Sequence, residues 1–319
     1  MIMIAVAVLL SLVLCLLLGV PYIDFLRKKT IGQYILDVAP EAHAQKAGTP
    51  TTGGVFIILA IIISSTITLL MAEKMDSTAL IILTTFFFMA LAGFQDDYLK
   101  IKGQENKGLS PRGKLLRQIL IALFPTIYAM QSYGTVITLG SLSFDIGILY
   151  PILAVFIVTG ASNAYNLTDG LDGLAASVGI PAFLACGIIS FLSGHIVVAI
   201  ICASVIGASL GFLRYNKPKA QVFMGDTGSL ALGGLLGTLA ILGRCELLLA
   251  IFAGVFVLET LSVILQVTSF KLTGKRIFKM SPIHHHFELS GHSEIRIVKE
   301  FALVSLIFAV IAVALFIIL

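Results

Sequence analysis

The 319-residue chain is 58% hydrophobic and only 12% charged, with a mean hydropathy of +1.04, whereas a soluble domain carries roughly 25% charged residues. This excludes a water-soluble globular fold and points to an integral membrane protein. The modest net charge of +4, with no basic groove interleaved with aromatics, argues against nucleic acid as a partner.

A hydrocarbon core about 30 Å thick is crossed by roughly 20 helical residues. Ten apolar runs of about that length can be drawn: 2–22, 53–72, 78–95, 115–131, 148–166, 174–192, 195–213, 229–243, 247–270 and 301–319. The expected fold is therefore all-α and polytopic, one transmembrane domain over residues 1–319 with cytoplasmic loops. The first run resembles a secretory signal, but it lacks preceding basic residues and is followed by Arg27, Lys28 and Lys29, so it reads as a retained helix with its N-terminus outside. Ten spans return the C-terminus to the same side. Of 21 Lys and Arg residues, only Lys74 and Arg244 fall in loops on the N-terminal side, leaving 19 on the other. The positive-inside rule then puts both termini outside and every long basic loop in the cytoplasm. That asymmetry also suits anionic lipid headgroups and substrates.

After the first span comes HAQKAGTPTTGG, residues 43–54. Its glycines suggest a loop, but no Lys-Ser or Lys-Thr follows to make it a phosphate-binding P-loop. The third span ends in GFQDDYLK, which carries Asp96, Asp97 and Lys100. If the helix continues, Lys100 lies one turn beyond Asp96. The plain alternative is an exposed i,i+4 pair worth only about 0.3–0.5 kcal/mol. In the next outer loop, TVITLGSLSF at 135–144 alternates about Gly140 and Ser141, the pattern of a short hairpin.

The fifth span ends in NAYNLTDGLDGLA, residues 163–175. Asn163 and Asn166 bring polar groups inside an apolar run, ahead of Asp169 and Asp172. In a helix these two acids would share a face; alternatively, either could cap the helix that begins near Leu174. Between the seventh and eighth spans, FMGDTGSL joins Phe223 to Gly225 and Asp226 just before a helix. There glycine permits close approach of a phosphate and the helix N-terminus offers free N–H groups, while a capped helix with a packing Phe is the simpler alternative.

Glu259, inside the ninth span, reads as a buried partner at a bend or groove wall, and predicts an interrupted or strongly tilted helix. The last cytoplasmic loop holds His284, His285 and His286. Metal ligation, contact with phosphate or sugar, and a structural role all remain open for them, although adjacent residues rarely converge on one ion. His43, His195 and His292 read as ordinary polar positions. Cys15, Cys186, Cys202 and Cys245 lack metal-ligand spacing and read as reduced packing residues.

All five of the acids Asp96, Asp97, Asp169, Asp172 and Asp226 fall at the predicted cytoplasmic ends of spans. A shared polar cleft would collect them there. Such a cluster, with lysines and histidines, suits phosphoryl transfer between a water-soluble nucleotide and a lipid. Magnesium prefers hard carboxylate ligands and retains several waters. A cation-coupled transporter would also use acids in spans, but near the midplane and with inverted repeats.

Five segments carry a resemblance: HxxKxGTPTxGG at 43–54, DDYLK at 96–100, NxxNLTDGLDGLA at 163–175, FMGDTGSLALGG at 223–234 and PIHHHFELSG at 282–291. Together, and in order along nearly the whole chain, they resemble the bacterial phospho-N-acetylmuramoyl-pentapeptide transferases, within the polyprenyl-phosphate N-acetylhexosamine-1-phosphate transferase superfamily. The family often has a Trp after the ELSG element; here His292 stands there.

The resemblance implies a magnesium-dependent enzyme, commonly homodimeric, with its active site facing the cytoplasm of the bacterial plasma membrane. It implies attack by undecaprenyl phosphate on UDP-N-acetylmuramoyl-pentapeptide, which releases UMP and forms lipid I. It makes Asp226 a magnesium ligand with Asn166 as companion, Asp96 the acid facing the lipid phosphate, and Asp97 a further catalytic acid. Lys46, Lys100, Asp169, Asp172, His284, His285 and His286 become candidate diphosphate and sugar contacts, with Phe223, Gly225 and Asn216 toward the uracil. A lipid phosphate has a second pKa of about 6 and is mostly doubly ionised near neutrality. Direct attack, with Asp96 orienting the nucleophile, is accordingly preferred over an aspartyl-phosphate intermediate.

Overall fold

A computed structural model describes residues 1–29, 48–103, 108–139 and 142–319. Lys46 and His43, and Gly140 and Ser141 of the expected hairpin, lie outside the described residues.

The described elements are α1 (Ile2–Lys28), α2 (Gly54–Met71), α3 (Ser77–Gly103), α4 (Pro111–Tyr133), β1 (Val136–Leu139), β2 (Leu142–Asp145), α5 (Leu149–Thr168), α6 (Leu174–Leu192), α7 (Ile196–Asn216), α8 (Gly225–Leu242), α9 (Glu246–Phe252), α10 (Gly254–Thr273), α11 (Ile283–Glu288) and α12 (Glu294–Ile318). Eight of these helices, α1, α2, α3, α6, α7, α8, α10 and α12, are both long and apolar enough to cross a membrane. Two expected spans, α4 and α5, have the length, at 23 and 20 residues, but are more polar. Basic residues enter the first turns of α4, and Asn163 and Asn166 the last turns of α5.

The helices overrun their apolar runs toward the end that holds the acids. Helix α3 continues eight residues past 95 to Gly103, and α4, α8 and α12 begin before their predicted starts. Backbone hydrogen bonding does not stop where hydrophobicity does. Helix α4 starts at a capped Ser110, whose side chain accepts from the Gly113 N–H, with Pro111 in the first turn, where its missing N–H costs nothing.

The expected ninth span is two helices. The break falls at Ala253, between α9 and α10, and Glu259 lies within the continuous α10. The interruption expected around Glu259 thus occurs nearly two turns earlier. Between α4 and α5, β1 and β2 pair antiparallel from Val136↔Asp145 to Leu139↔Leu142, the expected hairpin.

Helix α8 is the axis of the molecule. Nearly all of it is buried, and it packs chiefly against α3 and α5. Helix α1 lies on α7, and α12 on α6, so α1 and α12 flank the bundle with mostly exposed apolar faces.

Candidate active site

Three side chains from two crossing helices form the centre. Asp96 and Asp97 lie in the late turns of α3, and Asp226 in the first turn of α8. Each offers a carboxylate oxygen within 4.8 Å of the others. Gly93, one turn before Asp96, makes that crossing possible: a Cβ there would collide with the Asp226 carbonyl oxygen.

The acids differ in what they hold. Asp97 is buried and accepts from the Asp226 N–H at 3.0 Å, the Thr227 N–H at 2.9 Å and the Thr227 hydroxyl at 2.6 Å. It therefore caps α8 from a neighbouring helix, satisfying donors that a helix start leaves unpaired and placing negative charge at the positive dipole end. The amides at the start of α8, expected to await a phosphate, are occupied by this carboxylate. Gly225, at φ +71°, gives Asp97 room; a Cβ there would lie 2.6 Å from Asp97 Oδ2.

Asp96 accepts from the Leu109 N–H at 2.7 Å and pairs with Lys100 at 2.6 Å. Lys100 also reaches Asp226 Oδ2 at 3.0 Å, so it joins the two acids and is more than a surface pair. Lys114, from the first turns of α4, meets the same Asp226 oxygen at 2.8 Å. Asp226 Oδ1 accepts from the Asn166 amide at 2.8 Å, which also donates to Ser229. Asp226 is 13% and Lys100 32% exposed at the side chain, so the cluster is open to small solutes.

The second acidic motif is not helical. Asp169 is the C-cap of α5, and the N-cap of α6 is Gly173 in the left-handed region at φ +77°. Neither acid caps α6, and the turn takes both off any common helical face. Asp172 is buried and accepts from the Ala220 N–H at 3.0 Å, while its own N–H donates to Glu294. Asn216 donates to the Val222 carbonyl and accepts from the Gly173 N–H. These bonds tie the turn after α5 to the loop after α7. Burial, followed by the charges of Asp226, Asp97 and Asp172, pushes the Asp169 carboxyl up to about 8.

The Gly-rich stretch lies along the FMGD motif. The Phe223 N–H donates to the Pro50 carbonyl, and the N–H groups of Gly53 and Gly54 donate to the Phe223 and Met224 carbonyls, all at 2.8 Å. Phe223 remains partly exposed.

The three histidines take different partners. His284 is fully buried, with Nδ1 3.0 Å from Glu259 Oε1, and its Nε2 lies directly against Gly170 in the Asp169 turn. His285 pairs with Glu288, and His286 Nδ1 accepts from the Lys279 N–H. They do not converge on one point. Glu259 is buried and partnered, as expected.

Lys114 and Ser229 are the contributors that sequence reasoning missed. Lys114 sits in the basic SPRGK segment among charges that read as topological. The usable signal was its place in the first turn of a capped helix that faces the acids.

Three clustered carboxylates, supported by an amide, form a hard oxygen donor set suited to a divalent metal ion. Two ammonium groups on the same cluster suit a phosphorylated ligand.

Residues 79–244 match the model of glycosyl transferase family 4, the stretch from α3 to just past α8 that holds the whole cluster. Three similar curated proteins are named phospho-N-acetylmuramoyl-pentapeptide-transferase. Those of Bacillus licheniformis and Bacillus subtilis are each 46% identical over 309 residues, covering 96% of this chain and 95% of the relative. That of a Geobacillus species is 46% identical over 310 residues, covering 96% of both.

Proposed function

The chain belongs to the phospho-N-acetylmuramoyl-pentapeptide-transferase family, and on that premise we propose how its acidic cluster performs the reaction of peptidoglycan synthesis that the family name describes. The soluble substrate is UDP-N-acetylmuramoyl-pentapeptide, the membrane substrate undecaprenyl phosphate, and the products lipid I and UMP. The observation that carries the reading is the meeting of Asp96, Asp97, Asp226, Lys100 and Lys114 at one end of two crossing helices.

Asp226 and Asp96 would hold magnesium, with Asn166 orienting Asp226; bound there, the ion supplies charge neutralisation for the diphosphate. Asp97 does not act on substrate directly. It fixes the start of α8 and hence the direction of Asp226. Asp96 orients the lipid phosphate, which attacks the sugar-proximal phosphorus as its oxygen bonds there and the bond to UMP breaks. Lys100 and Lys114, held at Asp226, stand within reach of the diphosphate and stabilise charge that develops on its oxygens. The Asp169–Gly173 turn and the Phe223 loop wall the nucleoside side, with Phe223 available to stack on uracil. The site faces the cytoplasm of a bacterial plasma membrane, and the enzyme works as a homodimer.

The test is release of UMP by purified protein from UDP-N-acetylmuramoyl-pentapeptide and undecaprenyl phosphate, with and without magnesium. Release that stops on chelation and resumes on addition of the ion is expected. Release with UDP-N-acetylglucosamine instead would move the substrate to a related transferase, and capture of a competent aspartyl-phosphate would overturn direct attack.

A further inference from the structure

A cavity of about 300 Å³ lies away from the acids, between the last turns of α10 and the strap that follows it. Gln266, Val267, Phe270, Lys271, Arg276 and Ser281 are among its walls. The strap is held firmly. The buried Gln266 side chain donates to the Phe278 carbonyl at 2.9 Å and accepts from the Ile277 and Phe278 N–H groups at 3.0 and 2.9 Å. Ser269 donates to the Lys275 carbonyl at 3.0 Å.

Two properties of this cavity point to the same ligand. From Lys271 to Lys279 the chain carries four cations, Lys271, Lys275, Arg276 and Lys279, and no acid. Neither Lys271 nor Arg276 pairs with a carboxylate among the described residues. On the same side of α10, toward the middle of the span, Ile264, Val267 and Phe270 carry exposed apolar side chains. A basic recess above a lipid-facing helix face lies where headgroup and acyl chain meet. The strap leads into α11, whose His284 abuts Gly170, so the recess is at the same end of the bundle as the acids, the leaflet rich in anionic lipid when that end is cytoplasmic.

We propose that this recess is a binding site for the phosphate headgroup of an anionic glycerophospholipid, with Lys271 and Arg276 contacting the phosphate and one acyl chain lying along Val267 and Phe270. It is separate from the substrate cluster and does not depend on the reaction assigned to that cluster.

The experiment is native mass spectrometry of the full-length protein in detergent, titrated with phosphatidylglycerol, with phosphatidylcholine of identical chains, with undecaprenyl phosphate and with inorganic phosphate. One tightly retained phosphatidylglycerol is expected, bound at least tenfold more tightly than phosphatidylcholine. The Lys271→Gln/Arg276→Gln double variant should lose that preference, Arg276→Lys should keep most of it, and Lys28→Gln, on α1, should leave it unchanged. An equal loss in Lys28→Gln would mean general surface attraction and overturn the site. Displacement of phosphatidylglycerol by undecaprenyl phosphate with a matching loss in the double variant would give the recess to the carrier lipid, and competition by inorganic phosphate at similar concentration would make it a free-phosphate site; either overturns the proposal. A thermal midpoint of the double variant equal to the parent's verifies that it is folded.

Discussion

Asp97 and Asp226 are neighbours with different duties, and substitution separates them. Asp97→Asn turns part of a triple acceptor into a donor facing N–H groups at the start of α8. It should cost about 1–3 kcal/mol of stability, the penalty for a buried polar group left unmatched, seen as a lower thermal midpoint together with lost activity. Asp226→Asn should leave the midpoint within a few degrees and lower kcat by about 100-fold or more, on the scale seen when one electrostatic contributor is removed. Equal midpoints for the two variants would refute a capping role for Asp97. Lys114→Gln is expected to resemble Asp226→Asn, because its ammonium contacts that acid directly.

Asp169 gives a pH dependence of definite sign. An Asp in the unfolded chain titrates near 3.9, whereas burial and neighbouring carboxylates lift this one to about 8 in the fold. Between those values the unfolded chain has released a proton that the folded protein keeps, so this residue's contribution to stability declines as pH rises from about 4 to 8 and is flat above. Thermal midpoints measured from pH 5 to 9 should fall less steeply in Asp169→Asn than in the parent. A parallel pair of curves would exclude the shift.

At the scale of elements, the site depends on how closely α3 and α8 cross. Gly93→Ala would drive a methyl into the Asp226 carbonyl, and with backbone on both sides relief requires the helices to part. Overpacking of this kind costs about 1–3 kcal/mol, and the shift should lower kcat along with the thermal midpoint. The reading of elements from sequence succeeded where one helix supplied its own signal: apolar runs found the long helices, and the alternation at 135–144 found the hairpin. It stopped at tertiary contacts. The capping of α8 by Asp97 joins residues 130 apart, and the partnership of Asp172 with Ala220 spans 48; no local pattern records either. The His triplet, left open between metal, substrate contact and structure, is told apart only by tertiary partners, since His284 meets Glu259 from α10 while His285 pairs within its own helix with Glu288. Lys114 was hidden by company, one cation among several in a loop where cations were expected for topology.

The orientation of the whole molecule proposed from its charge asymmetry can be tested with thiol labelling. All four cysteines are free and buried, so background labelling should be low. With the site end in the cytoplasm, Phe144→Cys on exposed β2 should react with a membrane-impermeant maleimide on intact cells, and Lys275→Cys only after permeabilisation. The reverse pattern would invert the proposed topology. The acids at the ends of apolar runs were legible because a membrane makes charge conspicuous; α4 and α5 were drawn as spans from their apolar runs, and the polar ends they lend to the site leave them out of the eight helices apolar enough to cross.

The two lysines on Asp226 have a consequence for the order of events. Three carboxylates and two ammonium groups leave the cluster with a formal charge of −1, too little to compete strongly for a free divalent ion. With the ion added, the sum becomes +1, which repels a second cation and attracts a diphosphate. Metal and nucleotide should therefore bind as mutually dependent ligands, each weakly alone, and the enzyme should take up the nucleotide already paired with its counter-ion.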